Sequence, residues 1–448
     1  MEKASVREVA LDALMKVEKN QAYSHLLLNT TLNKAGLDKR DSGLLTELVY
    51  GTIAHRLTLD YYLEPSLKTS KKREQWVDVL LRVSVYQMVY LDRIPDRAIV
   101  HEAVTIAKRR GHKGISGLVN GVLRSIQREG VPSINAIKDH VKRIAVTTSH
   151  PEWLVERWMK QHGEETTIAM AQANNEPPEV SIRVNRTKAT TEEVRQNLLL
   201  EGLEVERSPL LPELALIVKK GNAFTTDAYK NGLFTAQDEA SMLVGLLVQA
   251  DFDMHVLDTC AAPGGKSTHV AESMHNTGLV HSLDLHKHKV KLIDEQANRL
   301  QLTNLETRAE DARKLEHLTE SSFERVLIDA PCTGFGVIRR KPDIRWSKSK
   351  EDVAAIAKVQ NAILTNASRF VKAGGLLVYS TCTIEAEENE EQIAQFLTDN
   401  PQYELDENAY AALPEQVQAK GRFSSFGLTI LPQDFQTDGF FMAPLRKK

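Results

Sequence analysis

Cysteine is scarce in this chain, with three residues in 448, at positions 260, 332 and 382. So small and odd a number excludes a scaffold stapled by disulfides and fits a reducing compartment. The intervals of 72 and 50 residues between them match no zinc-binding pattern, so no metal is expected. Long apolar runs are missing too. A membrane span needs roughly 20 uncharged apolar residues, and the best candidate, 76–91, contains Asp78 and Arg82. Glu2, Lys3, Arg7 and Glu8 interrupt the start, so no signal peptide is expected. The expectation is a cytoplasmic protein with no membrane partner. There are no internal repeats, and the acidic run 385–391 is the one biased segment.

What is present is ordinary in amount and uneven in placement. The length predicts two to four domains, and 42% apolar with 26% charged residues is usual for a globular chain. A net charge of −3 argues mildly against a nucleic-acid partner, yet residues 1–150 hold 24 Lys and Arg against 16 Asp and Glu. The remainder holds 33 against 44. A basic third on an acidic body suggests a polyanion-binding module, although ordinary surface solvation gives the same imbalance.

Apolar spacing organises the chain into three parts. Leu11, Leu14, Val17, Leu26, Leu27, Leu28, Leu44, Leu45, Leu48, Val49 and Ile53 recur at helical intervals. The stretch 76–91 reads as a buried helix, and 98–110 and 115–128 as amphipathic ones. This predicts an all-α domain over 1–130, with basic clusters at Lys71-Lys72-Arg73, Lys108-Arg109-Arg110 and Lys113. Residues 131–146 read as a linker. From 147 to 236 a helical start and a β-α-β-β pattern predict a small α+β module. Arg183, Asn185 and Lys188 end its first strand, where they could touch an RNA backbone or simply make a turn. From 237 to 448 strands alternate with helices, which predicts a mostly parallel, doubly wound sheet, a Rossmann-like α/β domain. Its strands are expected at 254–258, 279–284, 305–308, 325–329 and 376–380, with a late pair near 426–431 and 439–445.

Ligands of such sheets sit at the carboxyl ends of strands. The first strand ends in Asp258-Thr259-Cys260-Ala261-Ala262-Pro263-Gly264-Gly265-Lys266-Ser267, an acid, a turn of small residues and a helix start. Gly265-Lys266-Ser267 fits a phosphate-binding loop, but Cys260 stands where that loop needs its first glycine. The same turn could admit the amino-acid end of S-adenosylmethionine. Asp284 ends the second strand, where a carboxylate can accept from two ribose hydroxyls. Asp311 follows the third, within reach of an adenine amino group. The fourth ends Asp329-Ala330-Pro331-Cys332-Thr333-Gly334 and the fifth Ser380-Thr381-Cys382-Thr383. Two thiols and an acid beside a methyl donor suit carbon 5 of a pyrimidine. A thiolate adding to carbon 6 makes carbon 5 nucleophilic, a carboxyl group near N3 supports the adduct, and a second proton-handling group assists release. A small buried filler is the alternative reading of each cysteine.

These motifs resemble the signatures of the RNA cytosine-5 methyltransferases. Supporting matches are Gln237-Asp238-Glu239-Ala240-Ser241, Arg339-Arg340-Lys341-Pro342-Asp343-Ile344-Arg345-Trp346, Glu388-Asn389-Glu390 and Thr437-Asp438-Gly439-Phe440-Phe441. The N-terminal helical region resembles the NusB-type RNA-binding domain, and the combination is similar to the bacterial branch of the family that acts on 16S ribosomal RNA. The resemblance implies Cys382 as the nucleophile, Cys332 as the group assisting release, and Asp329 as the contact to N3 and the exocyclic amine. It implies that Cys260, Ala261, Ala262, Pro263, Gly264, Gly265, Lys266, Asp284, Asp311 and Asp329 line the S-adenosylmethionine pocket. Thr333 and Thr383 stand where Ser is frequent in the family, and each keeps a hydroxyl. A monomer acting on 16S ribosomal RNA, free or in an assembly intermediate of the small subunit, is expected. A transfer RNA methyltransferase, a phosphate-loop NTPase and a non-catalytic assembly factor are the alternatives.

Overall fold

The computed structural model describes residues 5–20, 27, 28, 30–32, 36–67 and 73–448. Of the residues named above, Glu2, Lys3, Leu26, Lys71 and Lys72 lie outside the described residues. The chain forms two compact units, Met1–Glu176 with Ile338–Ser347, and Pro177–Val337 with Lys348–Lys448.

The first unit is helical, as its 3.6-residue apolar spacing requires. Helix Gln75–Tyr90 buries Val77, Val79, Leu80, Leu81, Val83 and Val85, so apolar residues cover most of its circumference and neighbours surround it. Helices Val6–Asn20, Lys39–Ala54, Arg56–Leu67, Asp96–Arg110 and Lys113–Glu129 pack around it through Leu11, Leu14, Leu45, Leu48, Ile106 and Leu123. Asp38 caps Lys39–Ala54 by accepting from the Asp41 N–H, the usual treatment of an orphan donor.

The stretch 131–146, read as a linker, carries a 3-10 turn at Ile134–Ala136 and most of helix His140–Thr148. Pro132 and Ser133 lie in the break after Glu129, and Asp139 then restarts a helix by accepting from the Lys142 N–H at 2.8 Å. This helix buries Ile144 and Ala145 against Val155. Helices Glu152–His162 and Glu164–Ala173 follow in the same unit.

Ile338–Ser347 joins this unit from far along the chain. Its buried Arg345 donates to Ala54 O at 3.2 Å, Ser149 O at 3.0 Å, Asn174 O at 3.3 Å and Asn175 Oδ1 at 2.8 Å. The three carbonyls are those of the last residue of one helix and the C-caps of two others. One guanidinium therefore gathers three negative helix ends. Trp346 Nε1 adds a bond to Ile53 O at 2.8 Å, and Arg339 one to Ala173 O at 3.0 Å.

The second unit holds two sheets. The smaller is antiparallel in the order β2-β3-β1-β4, with β1 Val180–Val184, β2 Glu204–Arg207, β3 Ala215–Lys220 and β4 Phe234–Ala236. The fourth strand is an addition to the expected β-α-β-β pattern, and at three residues it is too short for an alternation to register. A capping box at Thr190 and Glu193 starts helix Thr191–Leu200. Arg183 and Asn185 are fully buried, which removes them from any RNA surface. Asn185 donates to Gly232 O and Leu300 O, both at 3.2 Å.

The larger sheet has nine strands, running β11-β12-β13-β9-β8-β5-β6-β7 with β10 on β13. Here β5 is His255–Asp258, β6 Leu279–Asp284, β7 Leu305–Ala309, β8 Phe323–Asp329 and β9 Val371–Thr381. β10 is Tyr403–Leu405, β11 Arg422–Ser424, β12 Gly427–Ile430 and β13 Phe440–Lys447. The five strands β5 to β9 are parallel, and the last four join antiparallel. Order reverses between β5 and β8, and that switch point opens a crevice at the carboxyl ends. Apolar residues on both faces, such as Val256, Leu257, Val326, Leu327, Leu377 and Val378, are buried under the flanking helices.

Candidate active site

Three strand ends meet at the switch point. Asp258 ends β5, Asp329 ends β8, and Ser380 and Thr381 end β9. The turn after β5 contains a cis Ala262–Pro263 bond, and Gly264 has φ +104°. A Cβ at Gly264 would lie 3.2 Å from Ile293 Cα, so both its conformation and its closeness to the next helix favour glycine. Helix Gly265–Ser273 starts directly behind it.

The turn is tied down from several sides. Asp258 is buried, accepts from Ser267 Oγ at 2.6 Å and from the Cys260 N–H at 3.3 Å, and burial pushes its carboxyl up to about 7. The Ala261 N–H donates to Leu283 O at 2.7 Å. Cys260 is free, and burial raises its thiol. From the small sheet, Arg183 donates to both oxygens of buried Glu272, to Thr268 Oγ1 at 3.0 Å and to Gly265 O at 2.7 Å, and also pairs with Gln237. The residue singled out as a possible RNA contact thus clamps the helix behind the glycine turn.

Lys266 turns toward β8. Its Nζ donates to Asp329 Oδ2 at 2.8 Å and lies 5.0 Å from the Phe440 ring centre, while Ser380 Oγ donates to Asp329 Oδ1 at 3.0 Å. A carboxylate held by an ammonium on one oxygen and a hydroxyl on the other has a fixed orientation. The phosphate-loop reading wanted this lysine on a nucleotide, and here a carboxylate occupies it.

Cys332 and Cys382 come together, Sγ to Sγ at 3.2 Å, with both side chains half-buried. Contact with Cys382 first, and burial second, hold the Cys332 thiol well above the ordinary thiol range. Fifty residues apart in sequence, they meet because β8 and β9 are parallel neighbours with Asp329 opposite Ser380.

The remaining predicted residues line the neighbouring ends. Asp284 ends β6 and accepts from the His286 N–H at 3.0 Å. Asp311 follows β7 and accepts a forked bond from Arg313, at 2.8 and 2.7 Å, which holds it below the usual carboxylate range. The glycine turn, the helix start and an acid at the next strand end suit an adenosyl amino acid. The backbone approach at Gly264 and the carboxylate of Asp284 fit its two ends. Among the described residues no group of three or more His, Cys, Asp or Glu could hold a metal, and no helix is long and apolar enough to cross a membrane.

Sequence reasoning missed the partners of these groups. Thr333, Thr383, Glu388 and Asn389 are buried around the two thiols. An acidic run suggests solvent, so the signal was the sequence Glu388-Asn389-Glu390 itself.

The family described as 16S rRNA methyltransferase RsmB/F matches residues 246–446, the NusB family 4–128, and an RsmF/B-like ferredoxin-like domain 150–225. A probable ribosomal RNA small subunit methyltransferase B of Bacillus subtilis is 51% identical over the whole of both chains. A ribosomal RNA small subunit methyltransferase B of Klebsiella pneumoniae is 32% identical, covering 99% of this chain and 98% of its own. Among solved structures, PH0851 is 27% identical with a TM-score of 0.82 over all of both chains. A methyltransferase homologue of Pyrococcus horikoshii is 25% identical with a TM-score of 0.58, covering 70% of this chain and all of its own.

Proposed function

We propose, for a chain that belongs to the RsmB/F family of 16S rRNA methyltransferases, the methylation of carbon 5 of a cytosine in 16S ribosomal RNA through a covalent bond between Cys382 and carbon 6. The observation that carries the reading is the meeting of two thiols beside a fixed carboxylate at the switch point.

The target base leaves its stack so that both ring faces become accessible. Cys382 is the sulfur that attacks carbon 6, while Cys332, whose thiol is raised by contact with Cys382 and by burial, keeps its proton beside it. Asp329 meets N3 and the exocyclic amine, and the Lys266 ammonium bonded to it is the adjacent proton source for the electron-rich ring. Cys260, Ala261, Ala262, Pro263, Gly264, Gly265, Lys266, Asp284, Asp311 and Asp329 would hold S-adenosylmethionine, which would supply an electrophilic methyl group to carbon 5 and leave as the neutral thioether. Loss of the carbon 5 proton to water then returns its electron pair to the ring and expels Cys382. Cys332, 3.2 Å away, gives its proton to the departing sulfur. The helical unit with its NusB-like sequence is read as the RNA-docking part, acting in a monomer in the cytoplasm.

The test is incorporation of labelled methyl groups into protein-free 16S and transfer RNA, with Cys382→Ala as control. Label on one 16S cytosine, lost in the control, is expected. Full activity in Cys382→Ala would sink the mechanism, and label in transfer RNA alone would overturn the substrate. Cys332→Ala is expected to methylate while a protein–RNA complex that survives denaturant accumulates.

A further inference from the structure

The two cysteine loops are joined behind the sulfurs by a buried polar frame. Glu388 is fully buried, and its Oε2 accepts from the Thr333 N–H at 3.0 Å and from Gln360 Nε2 at 2.9 Å. Its Oε1 accepts from Thr333 Oγ1. Thr333 Oγ1 in turn lies 2.9 Å from Thr383 Oγ1. With Glu388 ionised, Thr333 gives its one hydroxyl proton to the carboxylate and Thr383 donates to Thr333. A carboxylate accepts all three donors of this frame, whereas a primary amide there has to turn a donor toward Thr333 and reverse the chain.

Each threonine directly follows one of the thiols. Cys382 has further supports. It continues β9, Asn389 Nδ2 donates to Thr383 O at 3.1 Å, and Thr381 Oγ1 donates to Asn389 Oδ1 at 2.6 Å. Cys332 sits on a loop outside any strand. Beyond Pro331, which Gln360 also bonds at 2.9 Å, its side-chain anchors are those on Thr333.

We propose that Glu388 is a positioning residue for the release half of the reaction. Through Thr333 and Thr383 it sets the distance of Cys332 from Cys382. The inference rests on the covalent reading given above. Loosening the frame moves Cys332 and leaves Cys382 tied directly to the end of β9 and to Asn389 through its neighbours, so methyl transfer and product release separate. The hydroxyl at 333 and 383, where the family also uses serine, is on this account the part that matters.

The experiment compares wild type, Thr333→Val, Thr333→Ser, Thr383→Val and Glu388→Gln on the same RNA. It reads single-turnover methyl transfer, steady-state kcat and KM, and the fraction of protein in a denaturant-stable RNA complex. Thr333→Val is expected to lose about tenfold in kcat, with KM and single-turnover transfer nearly unchanged, a partial displacement costing less than the roughly hundredfold of a full 1 Å misplacement. The stable complex should rise by a similar factor, and Thr333→Ser should restore both. Thr383→Val and Glu388→Gln should move the same way, and thermal melting shows which variants fold. Folded valine variants with wild-type release, or transfer and release falling together, would overturn the positioning role. Absence of methylated RNA with wild type would instead bring down the covalent reading itself, and this inference with it.

Discussion

Each unit buries one arginine completely, and the two are held in opposite ways. Arg345 in the helical unit faces carbonyl and amide oxygens, and burial pushes its guanidinium down to about 9, still charged at neutral pH. Arg183 in the catalytic unit forks onto the carboxylate of Glu272. The first charge is spread over helix ends, so it fastens backbone to backbone and brings residues 338–347 into the unit. The second neutralises a charge on the helix behind the glycine turn. A buried cation can be satisfied by dipoles or by an anion, and only the second leaves a bare charge behind when it is removed.

That contrast predicts the largest effects. Arg183→Met should destabilise the catalytic unit by roughly 3–5 kcal/mol, because Glu272 is then buried unpaired. Adding Glu272→Leu should recover most of the loss. Arg345→Met should cost less, about 2–3 kcal/mol of carbonyl desolvation, with no single partner able to rescue it. Urea unfolding of the four proteins checks this, and equal, equally unrescued losses would erase the distinction.

Next in size is the response to pH, where His55 and His150 of the helical unit and Asp258 of the catalytic unit pull in opposite directions. Burial, with Arg345 beside it, pushes His55 down to about 4, and burial holds His150 well below its ordinary value. A depressed histidine contributes stability above about 6.5, lost as pH falls toward 4. Asp258 is raised to about 7. Its contribution is whole below about 4 and disappears as pH rises through 7, on the order of 4 kcal/mol. Melting curves from pH 4 to 8 should show a shallower acid limb in His55→Phe, which removes one of its two groups and can keep the stacking on Tyr86 and Tyr90, and lose the neutral limb in Asp258→Asn. Unchanged limbs would show that these groups do not control the profile.

A smaller pair of changes tests packing. A Cβ on Gly51 would meet the tip of the Tyr86 ring at 2.0 Å, whereas one on Gly336 would meet Gly439 O at 2.0 Å and Cys382 O at 2.8 Å. The Tyr86 ring is buried, stacked on Tyr90 and bonded to Glu47, so it cannot swing clear, and the backbone at Gly439 is hydrogen-bonded. Gly51→Ala and Gly336→Ala should each cost about 2–3 kcal/mol, within the usual overpacking range. Only the second should abolish methyl transfer, as read by the labelled-methyl assay. Least of all, Asp139→Ala and Thr190→Ala should each cost about 1 kcal/mol in urea, since both remove one helix cap.

Much of the fold was legible because its signals are local. The runs before Asp258, Asp284 and Asp329 are apolar, end in an acid and sit at crossover spacing, so strand, site and order of elements could be read together. The helix at His140–Thr148 escaped because Pro132 and Ser133 dominate its neighbourhood and its cap lies just beyond. β4 and β10 escaped because three residues show no period. In the site, the three cysteines, Asp329 and the glycine turn stood out by residue type. The roles of Arg183, Arg345, Lys266 and Glu388 did not, because each depends on a partner elsewhere in the chain. Arg183 read as a possible RNA contact or part of a turn, and Glu388 only as part of an acidic segment and of a family motif.

The sequence by itself determined the kinds of element, the position of the reactive groups at strand ends and the family, since apolar period, turn chemistry and motif are written in neighbouring residues. Tertiary structure alone decided which groups meet. Parallel pairing of β8 with β9 brings Cys332 to Cys382, and Asp329 at the end of β8 takes Lys266 from the helix after the β5 turn. Burial then decided the charges, because a carboxyl, imidazole or guanidinium changes its proton affinity only when folding removes its water and supplies its neighbours.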